Sequence, residues 1–333
     1  MRTDDLNILK STQCINWKKF NDKTVYVTGA TGLIGFTLVD AILSCSSANV
    51  VVQVRNEAKA RKLLENRVEY VICDLSEKPQ YGGDIDYIIH CANPTSSQFF
   101  VNNPVETIKT AVNGTINVLE FAKEKEVSGV VFLSTMEVYG TPVKGHKVKE
   151  NEGGTFDSAA VRNCYPLSKQ TCESLCAAYT SEYGVHTRVL RLTQTFGPGV
   201  EYNDGRVFAE FARCAIEKRN IILKTKGETE RDYLYTVDAV LAILTVLLKG
   251  NDGEIYTAAN EETYCSIFEM AKLVADMSGI DVVIEEQDIT KFGYANTLYM
   301  DLDTAKIRNL GWKAEVGLEQ AFLRLIEDMK FRH

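Results

Sequence analysis

Residues Thr28-Gly29-Ala30-Thr31-Gly32-Leu33-Ile34-Gly35 set three glycines between a short apolar run, 24–28, and a longer apolar stretch, 33–43. A strand that ends in glycines and passes straight into a helix lets its backbone approach a pyrophosphate closely, and the anion then rests on the helix amino end. Glycines are common in turns, so the spacing alone says little. Their place between an expected strand and an expected helix is what gives them weight.

The rest of the chain continues that alternation. Strands are expected at 50–54, 68–73, 87–90, 129–134 and 187–192, with helices at 105–124 and 167–182 between the later ones. Strands separated by helices imply an α/β fold, a doubly wound parallel sheet of the Rossmann type with right-handed crossovers and its ligand at the strands' carboxyl ends. A smaller, discontinuous substrate lobe is expected beside it. The expected division is 1–192 and 236–260 for the dinucleotide-binding part, and 193–235 and 261–333 for the substrate part. The irregular apolar residues of the first twenty positions are expected to pack on the body, with a lid or dimer contact as the alternative.

Tyr165-Pro166-Leu167-Ser168-Lys169 carries the chemistry. Residues four apart share a helix face, so the Lys169 ammonium is expected beside the Tyr165 phenol, favouring phenolate. Thr135, in Ser134-Thr135-Met136-Glu137-Val138-Tyr139-Gly140, would hold the same substrate oxygen. Tyr165 could then take a proton from an alcohol while a nicotinamide accepts hydride.

In this order the motifs resemble the extended short-chain dehydrogenase/reductase family, within it the NAD-dependent epimerases, 4,6-dehydratases and UDP-glucuronate decarboxylases of nucleotide sugars. The resemblance covers about 23–311 and includes Asp74-Leu75, His90-Cys91-Ala92-Asn93, Asn113-Gly114-Thr115 and Arg231-Asp232-Tyr233-Leu234-Tyr235. It implies catalysis by Thr135, Tyr165, Lys169 and Glu137. It implies a cofactor held by Gly29, Thr31, Gly32, Leu33, Ile34, Gly35, Arg55, Asp74, Leu75, Ala92, Asn113, Tyr165 and Lys169. Cofactor choice departs from the usual pattern, because the second strand ends Val54-Arg55-Asn56 with no carboxylate for the ribose hydroxyls. Arg55, helped by Arg61 or Lys62, suits the 2′-phosphate of NADP. Relatives that reduce and reoxidise their cofactor in one turnover more often use NAD, and the reading leans to NAD with NADP as the alternative.

Glu137 falls where the dehydratases and decarboxylases have a functional glutamate, able to move a proton at carbon 5 once carbon 4 is oxidised. Met136 stands where the dehydratases carry Asp or Ser, and a thioether supplies no proton for a departing hydroxyl. Asn203-Asp204-Gly205-Arg206-Val207 looks more like the decarboxylases. Arg231 and Arg206 are expected on the nucleotide diphosphate, and Thr95, Ser96 and Ser97 on sugar hydroxyls, with loop capping the competing role for the latter. His90 and Cys91 read as strand-end packing. An NADPH-dependent keto-sugar or ketone reductase would use the same Tyr-Lys-Thr set, and a non-catalytic binding protein on this scaffold is the third class.

Composition limits the remaining choices. The 37 basic and 45 acidic residues leave a net charge of -8, a poor general surface for nucleic acid. The nine cysteines lack C-x-x-C and zinc spacing and read as reduced, cytoplasmic thiols, with no metal expected. Neither a signal segment nor a membrane-spanning run is expected. The implied partner is a nucleotide-diphosphate sugar, and the implied assembly a homodimer.

Overall fold

The computed structural model describes residues 1–287 and 297–333. Among these, β1 (Thr24–Thr28), β2 (Asn49–Val54), β3 (Glu69–Ile72), β4 (Tyr87–His90), β5 (Gly129–Thr135), β7 (Thr187–Leu192) and β11 (Ile255–Ala258) form one sheet. Its spatial order is β11-β7-β5-β4-β1-β2-β3, and every pairing is parallel. The order reverses at β1, with β2 on one side and β4 on the other, which opens a crevice beyond their carboxyl ends. The expected doubly wound sheet is therefore present.

Burial explains why these segments are strands. In β2 the run Val50-Val51-Val52-Gln53-Val54 is buried on both faces, as parallel strands covered by helices must be. Along β1, Val25 and Val27 belong to one apolar cluster and Tyr26, between them, to another, so successive side chains feed opposite layers. One layer is α2 (Leu33–Cys45) with α8 (Thr236–Lys249), packed together and covered by α1 (Thr3–Ser11). The other is α5 (Pro104–Glu124) with α6 (Cys164–Tyr183). α3 (Glu57–Leu64) follows β2, and the short α4 (Ser97–Asn102) leads into α5.

The first twenty residues pack on the body, as expected. Leu9 and Phe20 are fully buried, and the Asp5 carboxylate accepts from Tyr235 Oη and Arg324 Nη1, each at 2.9 Å.

A second, mixed sheet comprises β6 (Lys147–Val148), β8 (Gln194–Phe196), β10 (Glu230–Tyr235), β12 (Asn260–Ser266) and β14 (Tyr299–Leu302). β9 (Ile221–Leu223) pairs with β13 (Val282–Ile284) in a third. α7 (Val207–Glu217), α9 (Ile267–Ser278) and α11 (Leu318–Arg332) pack against one another, and α10 (Ala305–Arg308) lies on β11. β10 runs directly into α8, which is buried without interruption from Thr236 to Leu247, so the second sheet is tied to the underside of the first.

Candidate active site

At the carboxyl end of β1, Gly29 has φ +72°, and a Cβ there would lie 2.8 Å from the Ala92 nitrogen. A Cβ on Gly35 would lie 2.2 Å from the Gly29 oxygen. Both positions need glycine for backbone to meet backbone. The Ala92 N–H donates to Thr28 Oγ1 at 3.1 Å, fixing the end of β4 beside the turn. Gly32 caps α2 with no side chain on its first N–H groups and no acidic residue in its first turn, and Thr31, Leu33 and Ile34 surround that open end half-buried. Asn93 Oδ1 is buried without a partner among the described residues. A tight backbone cradle, an uncapped helix amino end and a free acceptor fit a dinucleotide.

Asp74 and Leu75, expected on the adenine side, follow β3. Ser76 N–H donates to Asp74 Oδ1 at 3.0 Å and holds that carboxyl below its usual range, with the charge of exposed Arg55 adding to the effect. Leu75 packs on Gly114, and its carbonyl accepts from Asn117 Nδ2 at 2.8 Å. Asn113 is exposed on α5, where the buried face of the helix is Ala111, Gly114, Thr115 and Val118. Asn117 was not singled out from sequence, although it lies one helical turn beyond Gly114. With no carboxylate at the end of β2, Arg55→Asp is expected to shift the ratio of NADP to NAD dissociation constants toward NAD by about tenfold or more. Calorimetry with both cofactors checks this, and an unmoved ratio would leave Arg55 a solvated strand-end residue.

α6 begins at Cys164, which puts Tyr165 in its first turn and Lys169 on the same face. Both are buried, at 6% and 4% exposure. The Tyr165 ring lies flat on Phe100, with centroids 4.1 Å apart and planes 7° apart. Burial, then the negative charge of Glu137, pushes the phenol above its usual range, while a hydrogen bond with Thr135 and the charge of Arg162 oppose this. The expected coupling to Lys169 differs in the structure. Lys169 Nζ donates to the Leu133 carbonyl at 2.7 Å, and the cation acting on the phenol is Arg162.

Burial also pushes Lys169 down to about 8, opposed by Cys172 and by Glu173, one turn further along α6. Glu173 is itself clamped: Arg191 Nε and Nη2 reach its two oxygens at 2.9 and 2.7 Å, and Ser134 Oγ donates to it at 2.5 Å. This buried ion pair fixes α6 against β5 and β7, with Ser134 adjoining Thr135. His90, pushed down to about 3 by burial and then by Lys169, bridges Thr28 Oγ1 and Thr115 Oγ1, consistent with its strand-end packing role.

The Lys169 shift has a stability consequence whose sign is fixed. Its folded value lies below the unfolded one of 10.5, so the unfolded chain binds more protons between about pH 8 and 10.5, and stability rises with pH across that window. The contribution is complete above the unfolded value and is lost as pH falls through about 8. In protein free of NAD, Lys169→Met is expected to abolish this rise, on the order of 3 kcal/mol. Denaturant midpoints of both proteins across the window measure it, and parallel profiles would remove Lys169 as the source.

Glu137 is the second residue of the 3-10 turn Met136–Tyr139 that follows β5 and is ion-paired through Oε2 with Arg162 Nη2 at 2.9 Å. Arg162 lies in the turn Val161–Asn163, just ahead of α6, with its guanidinium carbon 5.2 Å from the Phe100 ring centroid. Neither Arg162 nor Phe100 was singled out from sequence; the only available signal was the three-residue step from Arg162 to Tyr165. Met136 turns the other way, its sulfur accepting from Thr193 Oγ1 at 3.3 Å within a cluster that includes Tyr139, Met300 and Leu302.

Thr95, Ser96 and Ser97 are exposed, and Ser96 caps α4, the helix carrying Phe100. Arg206 is forked onto Asp204, Nε to Oδ1 at 2.9 Å and Nη2 to Oδ2 at 2.6 Å. Arg231 Nη1 donates to Gln194 Oε1 at 3.0 Å, and its buried Nε lacks a partner among the described residues. Among the described residues, no hydrogen bond or ion pair joins Arg206 or Arg231 to the Tyr165 group.

The model of the NAD dependent epimerase/dehydratase family matches residues 25–259. The chain belongs to that family. Among its relatives, UDP-glucuronic acid decarboxylase 3 of Arabidopsis thaliana is 29% identical over 313 residues, covering 92% of this chain and 89% of the relative. UDP-glucuronic acid decarboxylase 1 of Xenopus tropicalis is 31% identical over 314 residues, covering 91% and 71%. In fold the chain is similar to the UDP-glucose 4-epimerase of Thermotoga maritima, with a TM-score of 0.81 at 23% identity, covering 93% and 99%. The expectation of an NAD-dependent enzyme of the nucleotide-sugar epimerase, dehydratase and decarboxylase class is thus met at the level of the family.

Proposed function

We propose that this enzyme oxidises a nucleotide-diphosphate sugar at carbon 4 and then removes a carboxyl group from carbon 5. The observation that carries this reading is the Glu137–Arg162 pair beside Tyr165, with the Met136 sulfur turned into the core. A dehydratase needs a proton donor for the leaving hydroxyl, which Met136 does not provide. The names of the relatives at 29–31% identity support the same choice.

Bound NAD supplies the hydride acceptor for carbon 4. Thr135 orients the carbon 4 hydroxyl, and Tyr165 takes its proton as hydride leaves carbon 4 and returns a proton to that oxygen when the hydride comes back to carbon 4. Lys169, anchored on Leu133, holds the nicotinamide ribose and the helix face on which Tyr165 sits. The carbon 4 ketone draws electrons from the bond to the carboxyl group, carbon dioxide leaves, and Glu137 serves the proton that must arrive at carbon 5. Gly29, Gly32 and Gly35 seat the pyrophosphate and Asp74 the adenine, while Arg231 and Arg206 meet the sugar nucleotide's diphosphate from the second sheet.

We extend the proposal to organisation. Residues 1–192 and 236–260 form the cofactor-binding part, and 193–235 with 261–333 the substrate part, a division supported by the separation of the seven-stranded sheet from the second sheet, to which 1–192 lends β6. Exposed Val101, Val105 and Ile108 on α4 and α5 support a homodimer through the α5 and α6 face, which sedimentation velocity checks. No helix among the described residues is long and apolar enough to cross a membrane, and nine free thiols support a cytoplasmic setting.

Incubation with UDP-, dTDP-, GDP- and CDP-linked hexoses and uronic acids, followed by mass spectrometry, tests the function. Loss of carbon dioxide is expected. Loss of water, or isomerisation without mass change, would replace the decarboxylase by a dehydratase or an epimerase. The exposed Arg55 favours one other reading, an NADPH-linked keto-sugar reductase, and net consumption of NADPH would establish it.

A further inference from the structure

We propose that Arg162 reads a negatively charged group on sugar carbon 6, and that Glu137 occupies its guanidinium until the sugar arrives. This rests on the reading of the site given above and names the residue that would select the substrate class. The position follows from connectivity. Tyr165 and Thr135 address the oxygen on carbon 4, and Glu137, two residues beyond Thr135, is placed to serve the neighbouring carbon 5. The side chain paired with Glu137 then faces what carbon 5 carries, which is carbon 6. That side chain is Arg162, with Nη2 2.9 Å from Glu137 Oε2 and its guanidinium over the ring of Phe100, whose plane lies on Tyr165.

The chemistry suits an exchange of partners. Arg162 and Glu137 are 41% and 34% exposed, and half-exposed pairs of this kind bias an equilibrium by only about one- to fivefold. Arg162 makes a single hydrogen bond to Glu137 among the described residues, leaving most of its N–H fork for a second carboxylate. An arriving carboxylate takes the fork in two-point fashion and turns Glu137 loose toward carbon 5. A neutral hydroxymethyl group offers no such replacement, so the pair remains closed. Arg162 is also distinct from the diphosphate candidates, since Arg206 is forked onto Asp204 and Arg231 is bonded to Gln194 in the second sheet.

The test is calorimetric titration of UDP-glucuronate, UDP-glucose and UDP into the NAD-loaded protein and its variants. Wild type is expected to prefer the uronate. Arg162→Met should lose about 10- to 100-fold in affinity for UDP-glucuronate and keep its affinities for UDP-glucose and UDP. Arg162→Lys should recover part of the loss, because it keeps the charge without the fork. Glu137→Gln should bind UDP-glucuronate more tightly, by up to about fivefold, since the internal competitor is gone. An undiminished uronate preference in Arg162→Met, or unchanged or weaker uronate binding by Glu137→Gln, would overturn the assignment and leave the decarboxylase reading standing. Equal losses for UDP alone would move Arg162 to the diphosphate and also overturn it. A wild-type protein that binds UDP-glucose and UDP-glucuronate equally would remove the decarboxylase reading itself, and this proposal with it.

Discussion

Tyr165→Phe is expected to fold, to bind NAD, and to lose turnover by about 100-fold or more. The change removes one oxygen and keeps the ring, which lies flat against Phe100 at 4.1 Å, so the packing that seats the first turn of α6 is preserved. Thr135 cannot take over, since a hydroxyl of ordinary acidity is a poor base near neutral pH. Calorimetry with NAD and product analysis on the same preparation separate binding from chemistry. Turnover close to wild type would take Tyr165 out of the mechanism.

How much of this site is legible in sequence depends on whether a residue acts through local pattern or distant contact. The glycine turn is local: strand, turn and helix are contiguous, and 24–28 passes into α2 where expected. Tyr165 and Lys169 are local too, although helix spacing did not reveal that the Leu133 carbonyl would claim the ammonium. Arg162 and Phe100 meet across more than sixty residues of chain, and no periodicity signals such a contact. Glu173 and Arg191 lie buried in α6 and β7 as a pair, where a charge read alone suggests exposure. The two smaller sheets were harder still. Strands such as Ile221–Leu223 and Lys147–Val148 are too short for alternation to register, and their pairing partners lie far along the chain.

Glu137→Gln is the second large effect. The amide keeps the size of the side chain but accepts no proton, and losing a half-exposed ion pair should change stability by no more than about 1 kcal/mol. Given its true substrate, the variant is expected to accumulate sugar that is oxidised at carbon 4 and has already lost carbon dioxide, detected by mass spectrometry, while final product falls by orders of magnitude. If Glu137 only orients its loop, both stages will slow together and no oxidised sugar will build up. Wild-type product formation would end its proposed role. Exchange of the carbon 5 hydrogen with solvent deuterium gives an independent check: a dehydratase using Glu137 shows it, and a decarboxylase need not.

The main sheet is closed by a strand that comes late. Ile255–Ala258 forms the edge beside β7, after the chain has passed through β6, β8 and β10 of the second sheet and through α8, buried from Thr236 to Leu247. During synthesis from the amino end, the first six strands of the sheet can assemble while β7 still offers a bare row of N–H and C=O groups. A chain stopped at Gly250 would keep that edge open, with α8 fully made and its apolar surface seeking cover. Shortened fragments ending between α8 and β11 are therefore the ones to avoid in expression work, and an added strand-forming tag at that point would compete for the very edge that Ile255–Ala258 must fill.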